Sequence, residues 1–260
     1  MSEIKLTFLG TGTSTGVPEV GCTCPVCTSN DDRDHRLRVS ALVETADTRI
    51  LIDCGPDFRE QMLGVPFGPI DGVLLTHEHY DHTGGIDDLR PFCRFGDIDI
   101  YADDLTCCHL RERLPYFFRE VLYPGVPRLH FSAITPFVPI TIKNVEVLPL
   151  QVMHGALPIL GYRIGQLGFI TDMLTAPEST YDALRGIDTL VVNALRPKPH
   201  GSHQTINDAI AFAQTIGARE TYLIHMSHDA GLHAETSAKL PPHIHLAYDG
   251  LQIKVNGKFE

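Results

Sequence analysis

The chain has 260 residues, a formal net charge of −11 and a hydrophobic content of 43%. A chain of this length can bury a large core, and no apolar run approaches the roughly 20 residues of a membrane span. The acidic balance argues against broad contact with a nucleic-acid backbone, which requires clustered Lys and Arg. We therefore expect a small substrate, no nucleic acid and no membrane contact. Because Met1–Lys5 leads into a strand rather than a signal peptide, we also expect a cytoplasmic protein.

The first half of the chain predicts short strands, loops and helices. A strand at Ile4–Leu9 runs into a glycine loop, Gly10–Pro18, whose spacing is not that of a dinucleotide-binding loop. The next strands, Val39–Glu44 and Arg49–Ile52, form a hairpin. After them the pattern predicts a helix at Phe58–Leu63, a buried strand at Asp71–Leu75, a helix at Gly84–Phe92, a strand at Ile98–Tyr101 and a helix at Asp104–Arg113.

In the second half of the chain, several predicted strands are followed by residues of types that bind metals. Residues 114–139 are rich in Pro, Phe and Tyr, and we expect a lid or the contact between two copies of a homodimer there. Predicted strands follow at Val145–Val152, Tyr162–Ile164, Gly168–Thr171, Leu190–Asn193 and Thr221–Ile224, with a helix at Ile206–Ile216. No composition break or fixed repeat divides the chain, so residues 1–260 are expected to form a single domain.

A histidine-rich run, His77–His82, follows the predicted buried strand. Residues two apart in an extended chain point the same way, so His77 and His79 can converge on one ion. Asp81 and His82 lie beyond a turn and can face a second ion. The run therefore predicts two halves of a metal centre, and a total of 14 histidines is consistent with metal binding.

Three of the seven cysteines are crowded together at Cys22, Cys24 and Cys27. In a reducing compartment this spacing indicates metal ligation rather than disulfide bonds. A closed tetrahedral zinc site requires a fourth ligand in addition to these three thiolates.

The pattern HxHxDH after a strand resembles the metallo-β-lactamase superfamily, and the resemblance runs through most of the chain. It implies an α/β (α+β) fold, an αββα sandwich of two mixed β-sheets flanked by helices. It also implies two sets of ligands, His77, His79 and His154 for one ion and Asp81, His82 and His225 for the other, with Asp172 bridging both. A bridging aspartate is typical of dinuclear hydrolases of phosphodiesters and thioesters, whereas β-lactamase branches typically carry a cysteine.

Superfamily members also carry an aspartate that hydrogen-bonds the metal-binding loop. Asp53, at the end of a predicted strand, is in the corresponding place. The alternative role for Asp53 is to cap a turn or a helix.

The glycine loop, the cysteine triplet, His225-x-x-His228 and the closing Tyr248–Gly250 resemble the PhnP-type phosphodiesterases of the carbon–phosphorus lyase pathway. This resemblance implies that His228 completes the zinc site of an N-terminal loop at about residues 20–38, with His35 as the alternative ligand. It also implies a histidine that donates a proton to the leaving group. His203 occupies that place and His200 is the alternative. Arg196 and Lys198, on the same loop, either contact substrate phosphate or are solvated.

The resulting hypothesis is a metal-dependent phosphodiesterase that hydrolyses a small, linear or cyclic, anionic phosphodiester. Its catalytic residues would be His203, Asp172 and Asp81. Its cofactors would be two divalent ions, Mn²⁺ or Zn²⁺, sharing a hydroxide, and one structural Zn²⁺.

Four alternatives compete with this hypothesis. A tRNase Z-like RNA-processing nuclease is disfavoured because the interval from His154 to Asp172 is too short for an RNA-gripping arm. A glyoxalase II-type thioester hydrolase would lack the cysteine triplet and carry a C-terminal substrate domain. Proteins of pyrroloquinoline quinone biosynthesis share parts of the pattern. A non-enzymatic, metal-stabilised scaffold would not need a full ligand set together with a proton donor.

Overall fold

The computed structural model describes residues 3–119 and 125–257. Within these ranges the strands, in chain order, are β1 (Glu3–Gly10), β2 (Ser40–Glu44), β3 (Arg49–Ile52), β4 (Gly72–Leu74), β5 (Ile98–Ala102), β6 (Leu129–Ala133), β7 (Ile140–Ile142), β8 (Val145–His154), β9 (Leu157–Ile164), β10 (Leu167–Phe169), β11 (Thr189–Asn193), β12 (Glu220–Ile224), β13 (Ile244–Leu246) and β14 (Gln252–Asn256). The α-helices are α1 (Phe58–Leu63), α2 (Tyr80–Thr83), α3 (Asp104–Arg113), α4 (Glu178–Leu184), α5 (Ile206–Ile216) and α6 (His233–Ser237).

The strands form two seven-stranded sheets, in the orders β14-β1-β2-β3-β4-β5-β6 and β13-β12-β11-β10-β9-β8-β7. Their facing sides share one core, in which Phe8 and Leu74 of the first sheet pack with Tyr162 and Phe169 of the second. Helices α1 and α3 cover the outer face of the first sheet, and α4 and α5 cover that of the second. The predicted αββα sandwich of two mixed sheets is therefore confirmed.

Parallel strands bring distant parts of the chain to one edge of the sandwich. In the first sheet β3 runs parallel to β4, so the residues after both strands emerge together. In the second sheet β10, β11 and β12 are parallel and end on the same side. Ligand sites of open α/β sheets form beyond the carboxyl ends of such strands.

One predicted helix differs in type and position. The sequence predicts a helix at Gly84–Phe92, whereas the structure forms a 3₁₀ helix at Ile86–Arg94. Pro91 lies inside it, and because proline has no N–H, it cannot support a regular α-helical hydrogen bond there. The main-chain N–H of Gly84 instead closes the short helix α2 on the carbonyl of Tyr80.

The segment predicted as a lid or dimer contact is partly described. Residues 120–124 lie outside the described residues. Before them, Pro115–Phe118 forms a 3₁₀ turn in which Phe117 is buried, and after them β6 is the edge strand of the first sheet. In the described ranges, no helix has the length and apolar character needed to traverse a membrane.

Candidate metal centre

The first group of candidate ligands consists of three histidines. His77 and His79 follow β4, and His154 is the last residue of β8. Leu160 donates its N–H to the carbonyl of Thr76, which ties the start of the loop to the facing sheet. His77 Nε2 lies 2.9 Å from His79 Nδ1. One nitrogen from each of the three rings falls within 4.8 Å of the others, as a shared ion requires.

The second group consists of Asp81, His82, Asp172 and His225, all buried. His82 Nε2 lies 3.1 Å from Asp81 Oδ2 and 3.2 Å from Asp172 Oδ2. His225 Nε2 lies 3.0 Å from Asp172 Oδ1. Both Nε2 atoms are buried without an aligned hydrogen-bond partner. Imidazole nitrogens and carboxylates converging in this way are a suitable ligand set for Mn²⁺ or Zn²⁺.

Asp172 connects the two groups. It lies with His82 and His225 in one cluster, and it also forms a cluster with His154 and His203, within 4.8 Å in each case. Its two carboxylate oxygens face different imidazoles. A carboxylate in this position has the geometry expected of the bridging ligand.

Hydrogen bonds orient the ligands from behind. Asp53 Oδ2 lies 2.7 Å from His82 Nδ1, and Asp53 Oδ1 accepts the N–H of Thr76 at 2.8 Å. The expected contact between Asp53 and the metal-binding loop is therefore present. His154 Nδ1 lies 2.8 Å from the carbonyl oxygen of Asp172 and 3.0 Å from that of Ser202. A ring N–H donated at Nδ1 leaves Nε2 available for a metal ion.

Three residues of the centre have left-handed backbone conformations. The φ angles are 59° for Asp53, 56° for Asp172 and 56° for His225. Such a conformation costs about 1–3 kcal/mol for a residue other than glycine and is concentrated at functional sites. The surrounding sheets must hold these side chains in place against that cost.

The charges of the buried ligands are strongly coupled. Burial opposes a charge on His82, but the carboxylates of Asp172 and Asp81 raise its pKa well above the usual value. Burial is likewise outweighed at His225, where Asp172 raises the pKa to about 9. The same imidazoles hold the pKa of Asp172 well below its ordinary value despite burial. Metal binding at these histidines must therefore compete with proton binding.

His203 lies against the centre, as predicted for the proton donor. It is buried, and its Nδ1 lies 3.7 Å from Asp172 Oδ1. Its ring centroid is 4.8 Å from that of His225. Burial first, and then the charge of His225, lowers the pKa of His203 to about 3. His200 is exposed and lies on the outer side, with its ring centroid 5.0 Å from that of His203.

The cysteine triplet converges on His228. Nδ1 of this histidine is 3.2 Å from Cys22 Sγ, 3.8 Å from Cys24 Sγ and 3.4 Å from Cys27 Sγ. The alternative ligand, His35, instead places its Nε2 3.1 Å from the carbonyl oxygen of Ser29. Three thiols and one imidazole fit a closed tetrahedral zinc site, which would connect the N-terminal loop to the segment after β12.

The thiols of Cys24 and Cys27 differ in acidity. The backbone N–H of Cys27 lowers the pKa of Cys24 to about 7, whereas burial raises that of Cys27 to about 11. Zinc requires thiolates, so binding should release a proton from Cys27.

A buried polar network behind the centre was not predicted. Arg36 is buried, and its Nη1 donates to Thr11 Oγ1 at 2.8 Å and to the carbonyl of Ala247 at 2.7 Å. Asp249 accepts from Thr11 Oγ1 at 2.7 Å. The N–H of Met226, next to His225, donates to the carbonyl of Thr11. The glycine loop thus supports a candidate metal ligand through backbone contacts, and the motifs quoted from both chain ends were the only sequence signal of this role.

Comparison with known proteins identifies the family of the chain. Residues 48–226 match the model of the β-lactamase superfamily domain. A solved structure described as a new diphosphatase from the PhnP family has a TM-score of 0.92 and 37% identity, and the match covers 99% of each chain. Zn²⁺-bound PqqB from Methylobacterium extorquens has a TM-score of 0.79 at 18% identity, covering 96% of this chain and 99% of that one, which is a likeness of fold alone.

A curated relative carries a different kind of name. An octanoyltransferase of Porphyromonas gingivalis (strain ATCC BAA-308 / W83) is 48% identical over 257 residues. The match covers 98% of this chain but 52% of the relative, so the chain spans about half the length of that protein. The name therefore describes the longer relative. The superfamily match covers most of this chain and the diphosphatase is similar over nearly its whole length, so the chain belongs to the metallo-β-lactamase superfamily and, within it, to the PhnP family.

Proposed function

We propose that this chain is a metal-dependent phosphodiesterase that hydrolyses a small anionic phosphodiester or diphosphate ester. The observation that carries the proposal is the buried carboxylate of Asp172, whose oxygens lie 3.2 Å from His82 Nε2 and 3.0 Å from His225 Nε2. The similar PhnP-family diphosphatase supports hydrolysis at phosphorus.

The ligands proposed for the two ions are His77, His79 and His154 for one and Asp81, His82 and His225 for the other, with Asp172 shared. Two divalent ions bound there, Mn²⁺ or Zn²⁺, would activate water and offset charge at the phosphorus. The carboxylates of Asp81 and Asp172 compensate only part of the charge of two dications. The remaining positive charge favours an anionic substrate over a neutral amide.

His203 is proposed as the proton donor to the leaving oxygen. With its pKa lowered to about 3 it is neutral in the free protein. An anionic substrate beside the ring favours the protonated form and raises that pKa, because opposite charges stabilise each other. Substrate binding would thus shift His203 toward the form that can donate a proton.

A structural zinc ion at Cys22, Cys24, Cys27 and His228 is the third proposed metal. Its ligands are separate from the catalytic groups, and soft thiolates select zinc over manganese. Its proposed role is to hold the N-terminal loop in place.

The RNA-processing alternative lacks support in the described part of the chain. From His154 to Asp172 the residues form β9, β10 and their tight turns within the second sheet. No arm projects there that could hold a folded RNA. Together with the charge of −11 this favours a small substrate.

A thioester is the competing substrate class that most needs testing. Bridging aspartates also occur in thioester hydrolases, and the name of the P. gingivalis relative describes acyl transfer. The clusters described at the catalytic centre contain imidazoles and carboxylates but no thiol to carry an acyl group. Hydrolysis is therefore favoured over transfer.

The test is metal-dependent turnover of a panel of substrates. The panel comprises bis(4-nitrophenyl) phosphate, 2′,3′-cyclic AMP, ADP-ribose, S-lactoylglutathione, an octanoyl thioester and a cephalosporin. We expect the highest kcat/KM with one of the three phosphate esters. A thioester or cephalosporin turned over faster than every phosphate ester would overturn the proposal.

A further inference from the structure

We infer that Asp229, next to the zinc ligand His228, positions the proton donor His203 through an ion pair with Arg196. The inference rests on the proposed function, because it assigns a task to the residues that hold His203. It gives the segment around the zinc ligand His228 a role in catalysis as well as in stabilising the fold.

His203 depends on its neighbours for its position. Its Nδ1 is buried without a hydrogen-bond partner, so no bond at that atom fixes the ring. It ends an exposed loop, residues 197–201, that offers little packing of its own. The rings of His154 and His225 pack against it, at centroid distances of 4.6 and 4.8 Å, and the backbone that carries it is held at the two ends of the loop.

Backbone hydrogen bonds hold these ends together. The N–H of Leu195 donates to the carbonyl of Gln204 at 3.1 Å, which closes the loop. The N–H of Gln204 donates to the carbonyl of Met173 at 2.9 Å, beside Asp172. The carbonyl of Leu195 accepts from both the N–H and the Oγ of Ser227, at 3.0 and 3.1 Å. The closed loop is thus attached to the residue before His228.

Arg196 provides the side-chain link. Its carbonyl accepts the N–H of Ile206, the first residue of α5, at 3.1 Å. Its Nη1 lies 3.3 Å from Asp229 Oδ2. Among the described residues its buried Nε has no hydrogen-bond partner, so the ion pair with Asp229 is the polar contact found there for the guanidinium. The zinc segment, the start of the loop and the start of α5 are therefore joined at one residue.

The consequence is specific to proton transfer. A proton donor displaced by about 1 Å can lose about 100-fold in rate, whereas a leaving group that is stable as an anion needs no donor. Loss of the ion pair should therefore slow the release of an alkoxide and spare the release of 4-nitrophenolate.

The experiment compares Asp229→Asn, Arg196→Gln and the double variant with the unsubstituted protein. Asp182→Asn is the matched control, because it removes an exposed ion pair between Asp182 of α4 and Arg185, the residue after that helix. For each protein kcat is measured with 2′,3′-cyclic AMP, whose leaving group is a ribose alkoxide, and with bis(4-nitrophenyl) phosphate. Metal content is measured alongside. Hydrogen exchange of the 200–206 amides provides a readout that does not depend on turnover.

The ratio compared is kcat with 2′,3′-cyclic AMP divided by kcat with bis(4-nitrophenyl) phosphate. We expect each single variant to lower this ratio by about 10-fold to 100-fold at unchanged metal content. The double variant should lose no more than one single variant, because the two residues act as a pair. Exchange of the Gln204 amide should accelerate in Asp229→Asn and not in Asp182→Asn. Because Asp229 is exposed, its substitution should not prevent folding.

Three results would overturn the inference. One is a kcat ratio and an exchange rate in Asp229→Asn equal to those of the control. Another is a higher KM for both substrates in Arg196→Gln alone, which would show that Arg196 binds substrate directly. The third is an equal loss with both substrates together with a loss of metal. Turnover of neither substrate by the unsubstituted protein would count against the proposed function, and the exchange data would still decide the positioning role.

Discussion

Asp53 Oδ2 lies 2.7 Å from Nδ1 of His82, and both side chains are fully buried. The contact fixes the ring of this proposed ligand through Nδ1, which would leave Nε2 for an ion. It also places an anion where the proton on Nδ1 must remain when Nε2 binds a cation. The candidate metal-binding loop is thus oriented by the residue that follows the neighbouring strand β3.

Replacing Asp53 should therefore weaken metal binding without removing a ligand. Asp53→Asn is expected to lower the affinity for Mn²⁺ by about 10-fold to 100-fold, the usual effect of losing such a partner. The measurement is a titration of metal-stripped protein by calorimetry. Asp71→Asn is the control, since Asp71 is largely buried, accepts the N–H of Arg49 and precedes β4, at the end away from His77. Equal affinities for Asp53→Asn and the control would show that the contact does not serve the metal.

His203 and His200 are distinguished by paired substitutions. His203→Ala should keep the metal ions and slow the release of a poor leaving group by about 10²–10⁴-fold, the usual contribution of general acid catalysis. His200→Ala should have little effect, because that ring is exposed and lies on the outer side of His203. The measurement is kcat with 2′,3′-cyclic AMP, with metal content as the control. Normal turnover by His203→Ala would assign the proton donor to another group.

The cysteine site should retain zinc when the catalytic metal is exchanged. Protein reconstituted with Mn²⁺ is expected to keep about one zinc per chain, because thiolates favour zinc. Cys24→Ser should lose this zinc and melt at a lower temperature, since structural zinc contributes directly to folding. Elemental analysis and thermal unfolding measure both effects. Unchanged zinc content and melting temperature would mean that the cysteines are ordinary loop residues.

His233 should make the protein less stable in acid. Its Nδ1 lies 3.1 Å from Arg36 Nη2, and burial together with the charge of Arg36 lowers its pKa to about 4. The unfolded chain, with a histidine pKa of about 6.5, then binds more protons between about pH 6.5 and 4. The contribution of His233 to the free energy of unfolding is therefore fully present above about pH 6.5 and is lost as the pH falls toward 4.

His233→Gln keeps an acceptor for Arg36 but cannot be protonated. Between pH 7 and 4.5 its free energy of unfolding should therefore fall by about 1 kcal/mol less than that of the unsubstituted protein, after allowance for solvent screening. This corresponds to a fall in Tm that is smaller by about 2–4 °C. Thermal unfolding at the two pH values measures the difference. His130→Gln, at an exposed position on β6, is the control. An identical pH dependence in both variants would contradict this role of His233.

The sequence predicted the local parts of the site better than its long-range support. His77 and His79 were predicted because an apolar strand and the polar run after it are adjacent in the chain. Asp172 and His225 were identified by resemblance, and their left-handed backbone had no signal, because it depends on the sheets around them. Burial of Arg36 could not be predicted, since its partner Ala247 is 211 residues away.

The central claim is that two ions held through Asp172 hydrolyse a phosphodiester, and a metal titration tests it most directly. Turnover of bis(4-nitrophenyl) phosphate is measured while Mn²⁺ is added in equivalents to protein that retains its cysteine-bound zinc. We predict that activity rises steeply, saturates at two equivalents, and is absent at every equivalent in Asp172→Ala. Saturation at one equivalent, or activity in Asp172→Ala equal to that of the unsubstituted protein, would contradict the claim.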